Sequence, residues 1–373
     1  MRPLRKKNKN SSYFSHEFII ENHGDIVSVV AMVFIVGMLF KGTAPAASLF
    51  ISMQHNESVE KTSGPPDLLY TTGRYDFCAI FFYSIVAIIL HAVAQEYMLD
   101  KITRKLHLPR SSQSKFSESG QLLIFYVASV YWAVYALINE GFLSSLGGLW
   151  AEYPHAHLPF WIKLFFIFQI SYWLHNYPEL YFQKAKKSEI PNRVFYSTLY
   201  LVGVTAAYFL NFTKLGIVLL IIHYTTDSFY HFARMMKFYG WSLGAKIGFS
   251  IFNGLYIPSR VICTVLAFLT FYYGLPQYSV PTMSVSEGNF NTWLIRLNCM
   301  LFVLFTQAQM VWTFVNYQLS KIRKQKEQQM INSMYTTNAD LQKRRDKKKG
   351  KREEDSRESP DAHSSDVHQR KRK

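Results

Sequence analysis

The chain has 373 residues, a net charge of +16 and a mean hydropathy near zero, averages that on their own would suit a basic soluble protein. They conceal a segregation: about eight apolar runs, each near the ~20 residues that a helix needs to cross ~30 Å of hydrocarbon, are separated by short polar connections. The longest connection, residues 52–76, is too short to form an independent core, which excludes a separate soluble catalytic domain.

In chain order the predicted spans are residues 26–50, 77–97, 121–139, 158–177, 194–210, 215–233, 247–274 and 293–317. The fold class expected is therefore an all-α, polytopic transmembrane helical bundle. The first run is long and no small-residue cleavage site follows it closely, so it reads as an uncleaved anchor in which Lys41 snorkels toward the interface. Beyond the second run, Met98, Leu99, Ile102 and Leu106 recur at helical spacing while Lys101, Arg104 and Lys105 face elsewhere. That pattern fits a helix lying among the headgroups or a direct extension of the span. Aromatic residues make up 16% of the chain, and many close the runs: Trp161, Tyr172, Trp173, Trp293, Trp312 and Tyr317. Amphipathic rings favour the membrane interface, although some of these will be ordinary packing aromatics.

Orientation follows from Lys and Arg, because short loops rich in them stay in the cytosol. The amino terminus carries Arg2, Arg5, Lys6, Lys7 and Lys9; later connections carry Lys101, Arg104, Lys105, Arg110 and Lys115, then Lys184, Lys186, Lys187 and Arg193, then Arg234, Lys237 and Lys246. The intervening connections are poor in them: the first sets Lys61 and Arg74 against Glu57, Glu60, Asp67 and Asp76, and the fifth holds Lys214 alone. Eight spans with both termini in the cytosol are expected. The sequon Asn56-Glu57-Ser58 then falls in a luminal loop, as a glycan acceptor requires, whereas Asn211-Phe212-Thr213 sits in a tight turn against the bilayer and should be silent.

Cys78, Cys263 and Cys299 all lie within runs and read as small core residues, so neither a disulfide framework nor a metal site is expected. No P-loop, GxGxxG, GxSxG or CxxC arrangement is present, and no cofactor is expected. After Tyr317 the composition changes. Lys321 to Lys326 should continue the last helix out of the bilayer, and the remainder, with Lys343-Arg344-Arg345-Asp346-Lys347-Lys348-Lys349 and Lys371-Arg372-Lys373, has too little apolar content to fold and should be disordered. Its roles would be to fix topology, to contact anionic lipid or to meet acidic partners such as ribosomal RNA by counterion release. No aromatics are interleaved to make a specific nucleic-acid site.

Three stretches are specific: residues 95–102 (QEYMLDKI), 114–121 (SKFSESGQ) and 172–184 (YWLHNYPELYFQK). In this order and topology they resemble the translocating chain-associated membrane proteins of the endoplasmic reticulum, from about Ser15 to Tyr317. The resemblance implies four segments: a basic cytosolic start (1–25), two spans with a glycosylatable luminal loop and an interfacial helix (26–114), a six-span TLC domain (115–320), and the basic tail (321–373). It further implies a non-enzymatic accessory of the Sec61 complex that contacts nascent chains and signal sequences, with the ribosome nearby and membrane lipids around it.

The same domain occurs in ceramide synthases, which N-acylate sphingoid bases and carry an adjacent His-His pair and a later His-Asp-x-Ser-Asp stretch. Here the later stretch is His223-Tyr224-Thr225-Thr226-Asp227, with the outer His and Asp kept and the inner Asp lost. The pair is absent. Upstream the chain reads Arg193-Val194-Phe195-Tyr196-Ser197-Thr198-Leu199-Tyr200, with no group able to act as general base near neutral pH. Acyl transfer is disfavoured, and a lipid carrier or sensor stands beside it as the alternative.

Ionisable groups in hydrocarbon are costly and usually pair or line a cavity. His223, Asp227, Tyr230 or His231, and Arg234 step along one helix face, and His91, Gln169, His175, Asn253, Arg260, Asn298, Gln307 and Gln309 add intramembrane polarity. The expectation is a polar groove built on His175, His223, Asp227, His231, Arg234, Arg260 and Gln307; the plainer reading is that each satisfies a neighbouring helix. Asp227 and Arg260 lie about 12 and 14 residues in from Leu215 and Gly274, within about 3 Å in depth, and should pair. The absence of paired broken helices argues against a transporter.

Overall fold

The computed structural model describes residues 15–59, 67–141, 144–183 and 187–357. The basic residues from Arg2 to Lys9, Lys61, Lys184, Lys186 and Lys371 to Lys373 lie outside them. In chain order the elements are α1 (His16–Gly37), α2 (Ala44–Ile51), β1 (Asn56–Val59), β2 (Asp67–Tyr70), α3 (Asp76–Val93), α4 (Asp100–Lys105), α5 (Arg110–Glu140), α6 (Phe160–Phe182), α7 (Ile190–Phe209), α8 (Thr213–Tyr239), α9 (Ser242–Phe268) and α10 (Trp293–Arg357).

The seven apolar runs after the first each become a long helix, α3 and α5 to α10, and the first becomes α1 and α2, so the all-α bundle holds. Among the described residues, four stretches are long and apolar enough to cross a membrane unaided: Asp76–Lys105, Ser112–Glu140, Ser242–Tyr278 and Trp293–Lys348. The helices α6, α7 and α8 fall short of that apolarity because they carry the polar groups of the interior, among them Lys163, Glu179, Arg193, His223 and Asp227.

Two expectations about local structure need correction. The first run is two helices, not one. Helix α1 ends at Gly37, Lys41 sits in the exposed turn that follows, and the Thr43 hydroxyl donates to the Gly37 carbonyl at 2.7 Å before α2 opens with proline in its first turn. Pro45 has no amide to donate, so it disfavours a helix interior and suits the first turn of a new helix. Lys41 therefore does not snorkel from a continuous span. The tail differs too. Residues 310–357 form a second unit, helical throughout and exposed from Leu319 to Lys348, so that beyond Lys326 a helix stands where disorder is expected. No Gly or Pro interrupts the chain from Trp293 to Lys349, and Lys, Arg, Gln, Glu and Met all sustain a helix without tertiary support.

The segment after α3 is a direct extension of it: a π-helical turn, Ala94–Leu99, leads straight into α4. Leu99 is buried against Gly120 of α5, which ties the extension to the bundle.

Within the first unit, α8 packs between α5 and α9, and α6 packs between α3 and α7. Phe165, Phe166 and Ile167 of α6 form the centre of the main core, with Ile80, Phe125, Tyr208, Ile217 and Tyr224 around them. Lipid tails are as apolar as these side chains, so close packing and interhelical hydrogen bonds, not transfer from water, select this arrangement. Gly248 shows how close the packing is. A Cβ there would stand 2.8 Å from the Ala233 Cβ, so α9 approaches α8 only because the position is glycine. At one end of the bundle the β1–β2 hairpin pairs Asn56 with Tyr70, and Tyr70 bridges in turn to Leu158 at the start of α6.

Candidate functional site

The groove residues divide into two clusters. The first is built by α7, α8, α9 and the part of α10 before Met310. Arg260 is 2% exposed and donates from Nη2 to Asp227 Oδ1 at 3.3 Å, so the pair expected from depth is formed. Tyr200 donates to the other carboxylate oxygen at 3.0 Å. Arg260 Nη1 also contacts His223 Nδ1, and the Tyr256 ring lies 4.7 Å from the guanidinium carbon, in cation–π range. A lone arginine or aspartate here would be costly; together, with hydroxyl and imidazole partners, each is compensated.

The histidine protonation follows from donor counting. A guanidinium can only donate, so His223 Nδ1 accepts and the proton of the neutral ring is on Nε2. Nε2 faces the Gln307 side-chain nitrogen at 3.0 Å, a donor against a donor, while Gln307 Oε1 has no partner. Rotating the amide by half a turn resolves both, with His223 Nε2–H donating to Gln307 Oε1. Both ring nitrogens are then engaged, and no lone pair is left to accept a proton.

A supporting chain holds Tyr200 in place. Its ring stacks on Trp173 at 4.3 Å; Trp173 donates to the Tyr224 hydroxyl, Tyr224 to Gln169 Oε1, and Gln169 to the Ser129 hydroxyl, each at 2.9 Å.

The second cluster lies elsewhere, between α3, α5, α6, α7 and α8, and it takes Arg234 away from His223 and Asp227. Arg234 and Arg193 both bind Glu118, at 3.2 and 3.0 Å. Arg193 also donates to Gln183, Gln183 to Glu179, and Glu179 faces His91 at 3.3 Å. His175 is buried edge-on to His91, with ring centroids 5.7 Å apart, and Nδ1 against the Tyr172 carbonyl. His231 is buried against the Tyr126 ring and joins neither arginine. The single groove expected from the sequence is thus two networks, with His223, Asp227, Arg260 and Gln307 in one, and His175 and Arg234 in or beside the other.

A third constellation escaped the sequence reading. Lys163 Nζ lies 2.7 Å from Asp76 Oδ1, both fully buried, and the Tyr208 hydroxyl donates to Asp76 Oδ2 at 2.8 Å. A lone charge inside an apolar run is the signal for it: Lys163 falls within the fourth run. Glu118 and Glu179 lay within the quoted stretches without a role.

Asn56 is exposed on β1. Asn211 is fully buried at φ 58°, and its amide donates to the Gly288 carbonyl at 2.8 Å, leaving no room for a glycan in the folded protein. Near it, His155 is held well below its ordinary value, at about 4, by burial and by the Lys214 charge. Among the described residues no group of His, Cys, Asp and Glu is arranged to hold a metal ion.

The TLC domain profile matches residues 115–316. The chain is 42% identical over 316 residues to human translocating chain-associated membrane protein 2, covering 85% of each chain, and 40% identical over the same length to its mouse counterpart. More distantly, it is 22% identical over 248 residues, 66% of this chain and 56% of the other, to a ceramide synthase from Gibberella moniliformis. A sphingosine N-acyltransferase-like protein from Alternaria alternata is 24% identical over 193 residues, covering 51% and 44%. Taken with the helical bundle and its spans, these matches establish that the chain is a multi-pass membrane protein of the translocating chain-associated membrane protein family, built on a TLC domain.

Proposed function

We propose that this protein is a non-catalytic accessory of the Sec61 complex in the endoplasmic reticulum membrane, which contacts nascent chains and signal sequences and assists their translocation or insertion. The observation that carries this reading is the network around Asp227 and Arg260: a polar site among apolar helices, with its one histidine tied at both nitrogens. Such a site offers hydrogen-bonding partners to a marginally hydrophobic segment, at a depth where lipid offers none. It does not offer a general base.

The topology that goes with this function has eight spans, both termini in the cytosol and a glycan on Asn56. The cytosolic surface would be strongly basic and would favour the neighbourhood of the ribosome without a specific nucleic-acid site. Proteoliposomes containing the Sec61 complex, with and without this protein, test the function directly. Translocation of a signal series graded in hydrophobicity should depend on the protein most for the weakest signals, and equal yields across the series would refute the proposal.

A second reading, lipid handling, is favoured by one observation: His223 and Asp227 stand where the acyltransferase stretch keeps its outer His and Asp. Purified protein that acylated a sphingoid base from acyl-CoA would establish it.

A further inference from the structure

The Asp227–Arg260 pair is not symmetric toward its surroundings. Arg260 is 2% exposed and Asp227 20%, so the acidic member is the one within reach of an entering group. Helix α7 gives the direction of access, and tyrosines of α8 and α9 lie along it. On α7 exposure rises from 9% at Tyr200 to 37% at Tyr196, one turn toward the helix start. On α9 Tyr256, one turn from Arg260 toward the helix start, is still buried. On α8, Tyr230 lies one turn beyond Asp227 toward the helix end, and both are half-buried. Because α8 runs antiparallel to α7 and α9, all three steps lead to the same end of the bundle, opposite the hairpin. Tyr196, Tyr230 and Tyr256 thus stand between Asp227 and that end.

We propose that this tyrosine-lined entrance makes the site selective for positive charge: it takes the Lys or Arg side chain of a client membrane segment, with Asp227 as its counter-ion. This rests on the accessory role above and specifies the clients of the same site. Asp227 accepts one hydrogen bond on each oxygen from Arg260 and Tyr200, and a carboxylate has about four acceptor positions, so capacity remains for a further donor. The field at the mouth is that of a dipole whose negative end points outward, weakly screened in a low-dielectric setting. Tyrosine faces add cation–π attraction of the kind Tyr256 already gives Arg260. An incoming carboxylate meets the opposite: Asp227 repels it, and Arg260 lies behind Asp227.

The test uses the full-length protein with a photoreactive benzoylphenylalanine at position 196, in phosphatidylcholine vesicles with the Sec61 complex. The clients are ribosome-bound spans that differ only in one central Lys, Gln or Asp. The Lys span should crosslink about threefold or more above the Asp span, the scale of one partly exposed ion pair. Asp227→Asn should bring the two yields together. Since that change leaves Arg260 without its counter-ion, Asp227→Asn/Arg260→Gln is tested beside it, and a monodisperse elution profile qualifies either variant. Equal Lys and Asp yields in the parent protein, or a preference for Asp, overturn the proposal even if neither variant folds. Added phosphatidylethanolamine distinguishes the source of the cation: a Lys preference that persists supports the client side chain, and one that disappears shows the lipid amine to be the occupant and overturns the client assignment. If translocation of weak signals still depends on the protein while the crosslinks show no charge preference, this inference falls and the accessory role stands.

Discussion

Lys163 Nζ lies 2.7 Å from Asp76 Oδ1 in a fully buried ion pair, and the same ammonium donates to the carbonyls of Gln54 and Thr71 at 2.9 and 2.7 Å. One side chain of α6 thereby holds the start of α3 and both ends of the segment that contains the hairpin. Every donor of the ammonium is used, and Asp76 takes further bonds from the Gly73 amide and Tyr208. The pair closes this end of the bundle by satisfying backbone groups that the short segment cannot satisfy for itself.

Removing one partner should therefore cost far more than removing both. Lys163→Met leaves Asp76 buried and charged, with an expected loss of about 3–5 kcal/mol. Asp76→Asn/Lys163→Met should recover part of that loss. Thermal unfolding of the three proteins in detergent checks this, and a double variant no better than the single would show that the carbonyl contacts, not the ion pair, dominate.

Asn56→Gln should abolish the endoglycosidase-sensitive shift of the protein in microsomes. Asn211→Gln should leave the shift unchanged and lower stability, by about 1–3 kcal/mol, because the Gly288 carbonyl loses its donor and the left-handed backbone suits asparagine better than glutamine. A glycan on Asn211 would contradict its burial.

What could be read from the sequence was whatever depends on periodicity or on one-dimensional position. Run lengths located the eight long helices, and depth counting placed Asp227 opposite Arg260. The break in the first run falls at Pro45, a residue that apolar run length takes no account of. The division of the groove was not legible, because Arg234 shares a helix face with Asp227 and only the approach of α5 and α7 shows that Glu118 claims it. Nor was Lys163: its partner Asp76 looked like a loop acid, and only the α3–α6 contact buries both. The helix beyond Lys326 reflects local propensity, which a shortage of apolar residues does not cancel.

His155 should make stability depend on pH. Its ordinary value is 6.5 and in the fold it is lowered to about 4, by burial first and by Lys214 second. Between these values the unfolded chain binds more protons than the folded one, so stability falls as pH drops from about 6.5 to about 4 and no further below that. Near neutral pH the ring is uncharged in both states and the effect vanishes. His155→Gln should flatten this part of the profile when unfolding is followed from pH 7.5 to 4.5. A difference curve between the two proteins that stays level across the window would rule the histidine out as its origin.

The last prediction concerns the coupling of Asp227 and Arg260. Neutralising Asp227 alone leaves a buried guanidinium with His223 and the Tyr256 ring for company; neutralising Arg260 alone leaves a carboxylate held by one hydroxyl and frees a lone pair on His223. Each single change should reduce the folded, monodisperse yield in detergent sharply, on the scale of about 3–5 kcal/mol for a broken buried pair. The double change removes both charges and leaves two neutral side chains able to hydrogen-bond each other, so its loss should be well below the sum of the singles, with a coupling of about 0.5–3 kcal/mol. Strictly additive losses would mean that the two residues belong to separate networks.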